Sequence, residues 1–119
     1  MTDLLVKHHK IVKSHKVMEY EHVGSSSRFK AEIRFKDDSS LSIRQIVIES
    51  FFFKYAYHWQ DREGQLIRRW DNAPHWPAIS TFPHHKHVRS QTDQLRVLES
   101  RGGDLEIVFQ EIAEWFEEK

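Results

Sequence analysis

The sequence predicts an α+β domain: a twisted antiparallel sheet of about five strands, covered on one face by a C-terminal amphipathic helix. Three observations support it. Apolar and polar residues alternate with period two through Arg28–Lys36. Two further alternating runs flank a short Gly-containing turn at residues 61–64. The apolar spacing then changes to that of a helix after Asp104. At 119 residues the chain has the size of one domain, and residues 1–119 are read as one.

Residues 1–14 are ambiguous, with Leu4, Leu5, His8 and Val12 forming a loose helical stripe. Lys16–Val23 reads as the first strand, and Gly24-Ser25-Ser26-Ser27 as the turn that ends it. In the second strand Phe29, Ala31, Ile33 and Phe35 share one side while Lys30, Glu32 and Arg34 take the other. Asp37-Asp38-Ser39-Ser40 supplies turn chemistry, and Leu41–Glu49 gives a third strand. Phe52–Gln60 and Gln65–Asp71 form a hairpin. A four-residue loop at 61–64 sets Gln60 opposite Gln65, His58 opposite Ile67 and Arg69 opposite Ala56. Phe53, Tyr55, Tyr57, Trp59, Leu66, Arg68 and Trp70 then make a core face; Ala56, His58, Gln60, Ile67, Arg69 and Asp71 make a polar one.

Asn72–His87 contains Pro74, Pro77 and Pro83, which argues against a helix or a central strand. It reads as a stiff extended segment pinned to the sheet by Ala78, Ile79 and Phe82, with a polar stretch following to Gly102-Gly103. Asp104 is placed to cap a helix whose Leu105, Val108, Phe109, Ile112, Trp115 and Phe116 recur at helical spacing.

Composition excludes several functions. Without cysteine there is no disulfide, thiolate metal site or cysteine nucleophile. Basic and acidic residues number 18 each, so nucleic acid is not held by bulk positive charge. The charges are segregated, however: Lys7, Lys10, Lys13 and Lys16 near the start, and Glu106, Glu111, Glu114, Glu117 and Glu118 near the end. The bland reading is two solvated surfaces. The longest apolar run, Phe51-Phe52-Phe53, cannot span a bilayer, and no signal-peptide core is present. A soluble cytoplasmic protein with no membrane association is expected.

Nine histidines are the unusual feature, and His58, His75, His84, His85 and His87 fall within thirty residues of one another. Four readings compete for this segment. In the first, His58 and a histidine from His84, His85 or His87 act as acid and base on RNA, Arg69 holds phosphate, and Asp71 orients a ring or pairs with Arg69. The second is a metal site on His85 and His87 with His75 or His58, although the spacing matches no zinc signature. The third is base stacking, for which Trp76 is better placed than Trp59 or Trp70. The fourth is purely architectural, with buried polar groups pinning an irregular segment.

The blocks Tyr55-Ala56-Tyr57-His58-Trp59-Gln60, Leu66-Ile67-Arg68-Arg69-Trp70-Asp71-Asn72-Ala73-Pro74-His75 and Thr81-Phe82-Pro83-His84-His85-Lys86-His87 together resemble the TumE toxin family. The resemblance is dense over residues 55–87. It implies a toxin encoded beside a cognate antitoxin partner, with a ribonuclease or other RNA-directed activity. The positions that match the family pattern are His58, Gln60, Arg69, Asp71, Asn72, His75, His84, His85 and His87. Where the family often has a second histidine after His75, this chain has Trp76.

The preferred expectation is therefore an RNA-directed toxin without a cofactor or metal. Its catalytic candidates are His58, Arg69, Asp71, His84, His85 and His87, and its substrate contacts Gln60, Asn72, His75 and Trp76. An oligomer is compatible with the sequence. The alternative expectation is a non-enzymatic module that disables a target by binding it, or that docks the antitoxin.

Overall fold

The computed structural model describes residues 1–118. Its elements run α1 (Thr2–Lys7), β1 (Val12–Val23), β2 (Ser26–Phe35), β3 (Ser40–Ile48), β4 (Phe52–Gln60), β5 (Leu66–Asp71), β6 (His85–Arg89), β7 (Leu95–Glu99) and α2 (Leu105–Glu117). The strands form a single antiparallel sheet in chain order, β1 to β7.

The five-strand expectation is thus corrected to seven. The two additional strands come from segments read as irregular. The last proline is Pro83, so nothing prevents His85–Arg89 from donating and accepting on both edges, and it lies inside the sheet between β5 and β7. β6 lacks apolar alternation, because its helix-side positions include Lys86, whose ammonium pairs with Glu111 rather than seeking water, and β7 offers only the brief Leu95-Arg96-Val97 alternation before Leu98 breaks it. Segment 72–84 is not extended either. It folds through successive turns, with backbone N–H groups of Ile79, Phe82 and His84 donating to the carbonyls of Trp76, Ile79 and Thr81.

Period-two alternation gives the sheet two different faces. Ala31, Ile33, Phe35, Leu41, Ile43, Tyr55, Tyr57, Trp59 and Trp70 are buried on one of them beneath Val108, Phe109 and Ile112 of α2. Each of those helix side chains contributes about 1.5–3 kcal/mol by leaving water. Asp104 caps α2 as expected, its carboxylate accepting from the Glu106 N–H at 2.9 Å. Glu111, grouped by sequence with the solvated acidic surface, faces the sheet instead. It accepts from Arg68, Lys86 and Trp70 and ties α2 to β5 and β6. The basic start and acidic end meet directly in the Lys7–Glu106 pair, 3.2 Å apart.

The opposite face carries Lys54, Ala56, His58 and Gln60 of β4 and the odd-numbered side chains of β5 and β6. Among the described residues its cover is the first half of segment 72–84, where Trp76 lies against His85 and His87.

Candidate functional site

The site begins with the register of β4 and β5. The hairpin turns on Arg62-Glu63-Gly64, with Gly64 at φ 86° and the Asp61 N–H donating to the Gln65 carbonyl. The Asp61 carboxylate accepts from the Glu63 and Gln65 N–H groups and holds the turn. Ile67 is then the extra residue between the pairs Trp59↔Arg68 and Gln60↔Leu66. The shorter turn and the bulge each move the pairing by one residue. Together they move it by two, so the faces stand as expected while the partners change: His58 lies opposite Arg69, not Ile67. On the far edge of β5, Arg69 lies opposite His87. His58, Arg69 and His87 therefore form a row across three adjacent strands.

Asp71 sits one pleat along the same face, opposite Ala56 on one side and His85 on the other. Its carboxylate is buried and collects donors. Oδ2 accepts from Arg69 Nε at 3.2 Å, and Oδ1 accepts from the Ala73 N–H at 3.0 Å. His85 Nε2 lies 2.9 Å from Oδ1, and His87 Nε2 lies 3.7 Å from Oδ2. His85 is buried, with its Nδ1–H donating to the Pro83 carbonyl at 3.0 Å. His87 remains partly exposed beside Trp76.

The other end of the row is more open. Neutral His58 accepts at Nδ1 from Arg69 Nη1, 3.3 Å away. Burial lowers the His58 pKa below that of a free histidine, and the Arg69 charge lowers it further; a hydrogen bond to Gln60 acts the other way. Burial also lowers that of His87, with the Asp71 carboxylate opposing it.

Two hollows meet over this face, of about 460 Å³ and 440 Å³, and share Ala56 and Arg69 as floor. The first contains His58 and runs towards Lys30 and Arg44; the second contains Asp71, His85 and His87 and is walled by Lys54, His75 and Trp76. A larger hollow of about 800 Å³ lies on the helix side, away from the imidazole row.

The structure thus brings together His58, Arg69, Asp71, His85 and His87, with Gln60, His75 and Trp76 around them. Two candidates lie apart. Segment 72–84 wraps the end of the sheet, so His84 emerges on the helix side, stacked on Tyr55 with its Nδ1 2.7 Å from the phenol oxygen. Asn72 is engaged with β4, donating to the Phe53 carbonyl and accepting from the Tyr55 N–H. Lys30, Arg44 and Lys54 were not among the candidates. Alternation put Lys30 on the polar side of its strand, while Arg44 and Lys54 were assigned no face, and nothing in the sequence distinguished the three from other surface cations.

A family model described as Toxin TumE matches residues 2–118, the whole length rather than the dense central blocks alone. The chain belongs to the TumE toxin family. TumE membership makes it the toxin of a toxin–antitoxin system, with a cognate antitoxin as its partner. No curated protein and no solved structure matches it. No helix among the described residues of this TumE protein is long and apolar enough to cross a membrane.

Proposed function

We propose that this toxin cleaves RNA on the uncovered face of its sheet, with His58 as general base, Arg69 as phosphate holder and His87 as general acid. The observation that carries the reading is the row His58↔Arg69↔His87 across β4, β5 and β6. Neighbouring strands are about 4.8 Å apart, which sets the two histidine backbones roughly 10 Å from each other with the guanidinium between them. A phosphodiester seated on Arg69 would have one imidazole on either side.

The step is a transphosphorylation. His58 accepts the ribose 2′-hydroxyl proton as that oxygen bonds to phosphorus; the bond from phosphorus to the 5′-oxygen breaks, and His87 protonates the departing oxygen. Arg69 neutralises charge gathering on the non-bridging oxygens. In the resting site the Nδ1 lone pair of neutral His58 is held by Arg69 Nη1, and a phosphate that engages the guanidinium would free that lone pair to take the proton. Lys30, Arg44 and Lys54 can meet flanking phosphates beside the row, with Glu19 and Glu32 interspersed along the first hollow. Trp76 and His75 offer surfaces on which an unpaired base can stack.

The test compares induced wild-type protein with a folded His58→Ala, His87→Ala double variant, following growth and RNA integrity. Wild type is expected to arrest growth and to yield RNA ends carrying a 2′,3′-cyclic phosphate, and the double variant to do neither. Equal arrest by both would remove the acid–base assignment and leave a toxin that acts by binding.

A further inference from the structure

The Asp71, His85 and His87 ligand atoms lie within 4.8 Å of one another. We propose that they form a binding site for one divalent transition-metal ion, and that occupying it silences the RNA chemistry by withdrawing His87; the second half rests on the reading above.

The distances suit a cation. An ion with bonds of about 2.0–2.1 Å in tetrahedral geometry holds its ligand atoms roughly 3.3 Å apart. Asp71 Oδ1 lies 2.9 Å from His85 Nε2 and Asp71 Oδ2 lies 3.7 Å from His87 Nε2, on either side of that value, while the full set, spread within 4.8 Å, has to draw in slightly around an ion. Two imidazoles with one carboxylate favour zinc, cobalt or nickel over magnesium or calcium, which prefer all-oxygen shells.

The surroundings are arranged as ligands require. The His85 ring is buried, and its Nδ1–H is committed to the Pro83 carbonyl, so Nε2, which meets Asp71 at 2.9 Å, is the atom that can exchange its proton for an ion. Asp71 is oriented independently by the Ala73 N–H and Arg69 Nε. Three protein ligands leave the fourth position open towards the hollow beneath Trp76. His87 is the shared group: a ring whose Nε2 coordinates a metal cannot deliver a proton from that atom.

The test titrates chelator-treated protein with zinc chloride by calorimetry and with cobalt(II) by visible absorption. One equivalent is expected to bind, with the intense bands of low-coordinate cobalt. His87→Ala and Asp71→Asn should weaken binding at least 10-fold, and His87→Ala removes a partly exposed ring, so its fold can be verified by thermal melting. His22→Ala, on the outer end of β1, should leave binding unchanged. Absence of stoichiometric binding, or undiminished binding to folded His87→Ala, overturns the site. RNA cleavage by metal-free protein that stops with one equivalent of zinc and resumes with chelator supports the silencing role. Cleavage that requires added metal overturns it. Intact zinc binding by a metal-free protein that cleaves nothing counts against the acid–base reading and not against the site.

Discussion

The Trp70 indole Nε1 donates to Glu111 Oε2 at 3.0 Å, joining a core tryptophan of β5 to the middle of α2. The other oxygen of the same carboxylate accepts from Arg68 at 2.9 Å and Lys86 at 2.8 Å. Replacing Glu111 by Ala strands two cations and an indole N–H beneath the helix. The side chains of the pair Arg68–Glu111 are about one-fifth exposed, so solvent relieves part of the loss. A destabilisation of about 2–3 kcal/mol is expected in urea denaturation. A change below ~0.5 kcal/mol would show that these contacts do not anchor α2.

The acidic limb of the RNA-cleavage profile should report His58. A base must be unprotonated, so activity is lost as pH falls through the His58 pKa, which burial and then Arg69 hold below 6.5. Arg69→Gln removes the electrostatic part. It should move the acidic limb and the His58 NMR titration to higher pH, while lowering the rate about 10²–10³-fold through loss of the phosphate contact. A slower enzyme with an unmoved limb would mean that Arg69 does not act on His58.

Gly103 packs where no side chain fits: a β-carbon there would lie 2.5 Å from Tyr55 Cε1 and 2.8 Å from Phe53 Cε2. Its carbonyl also accepts from the Tyr57 hydroxyl at 2.7 Å. Gly103→Ala is expected to cost about 1–3 kcal/mol of stability, seen as a lower denaturation midpoint, because rings and chain must separate.

Trp76 is 41% exposed and meets His85 and His87 through ring edges, leaving a face for a base. In the inactive His58→Ala, His87→Ala background, adding Trp76→Ala should weaken binding of a short single-stranded RNA about 5- to 150-fold, the equivalent of about 1–3 kcal/mol of stacking. Thermal stability should hardly move. Unchanged affinity would remove Trp76 from the RNA contact.

Much of the frame was legible from alternation. Phe29 to Phe35 fixed the core face of β2, and the spacing from Leu105 to Phe116 fixed α2 with its Asp104 cap. The polar faces of β4 and β5 were legible for the same reason, so His58, Arg69 and Asp71 were grouped correctly even though the register moved by two. The bulge at Ile67 left no mark, since an isoleucine fits a regular strand equally well. β6 and β7 were hidden because strand reading depends on apolar alternation. In His85–Arg89 the helix side begins with Lys86 paired to Glu111 and the opposite face with the buried imidazole of His85, so neither face reads as apolar. His84 could not be told from His85 or His87 until the wrap of segment 72–84 around the sheet end was known.

That wrap sets how the site comes and goes. Every other pairing in the sheet joins strands separated by a short turn, whereas β5 and β6 close across residues 72–84. Longer closures cost more chain entropy and are gained later in folding. The ladder that unites Asp71 with His85 and Arg69 with His87 is therefore where transient opening should first disperse the reactive groups, held back by the Glu111 contacts that span the same two strands. Amide exchange at the β5–β6 seam would track the fraction of molecules armed at any moment.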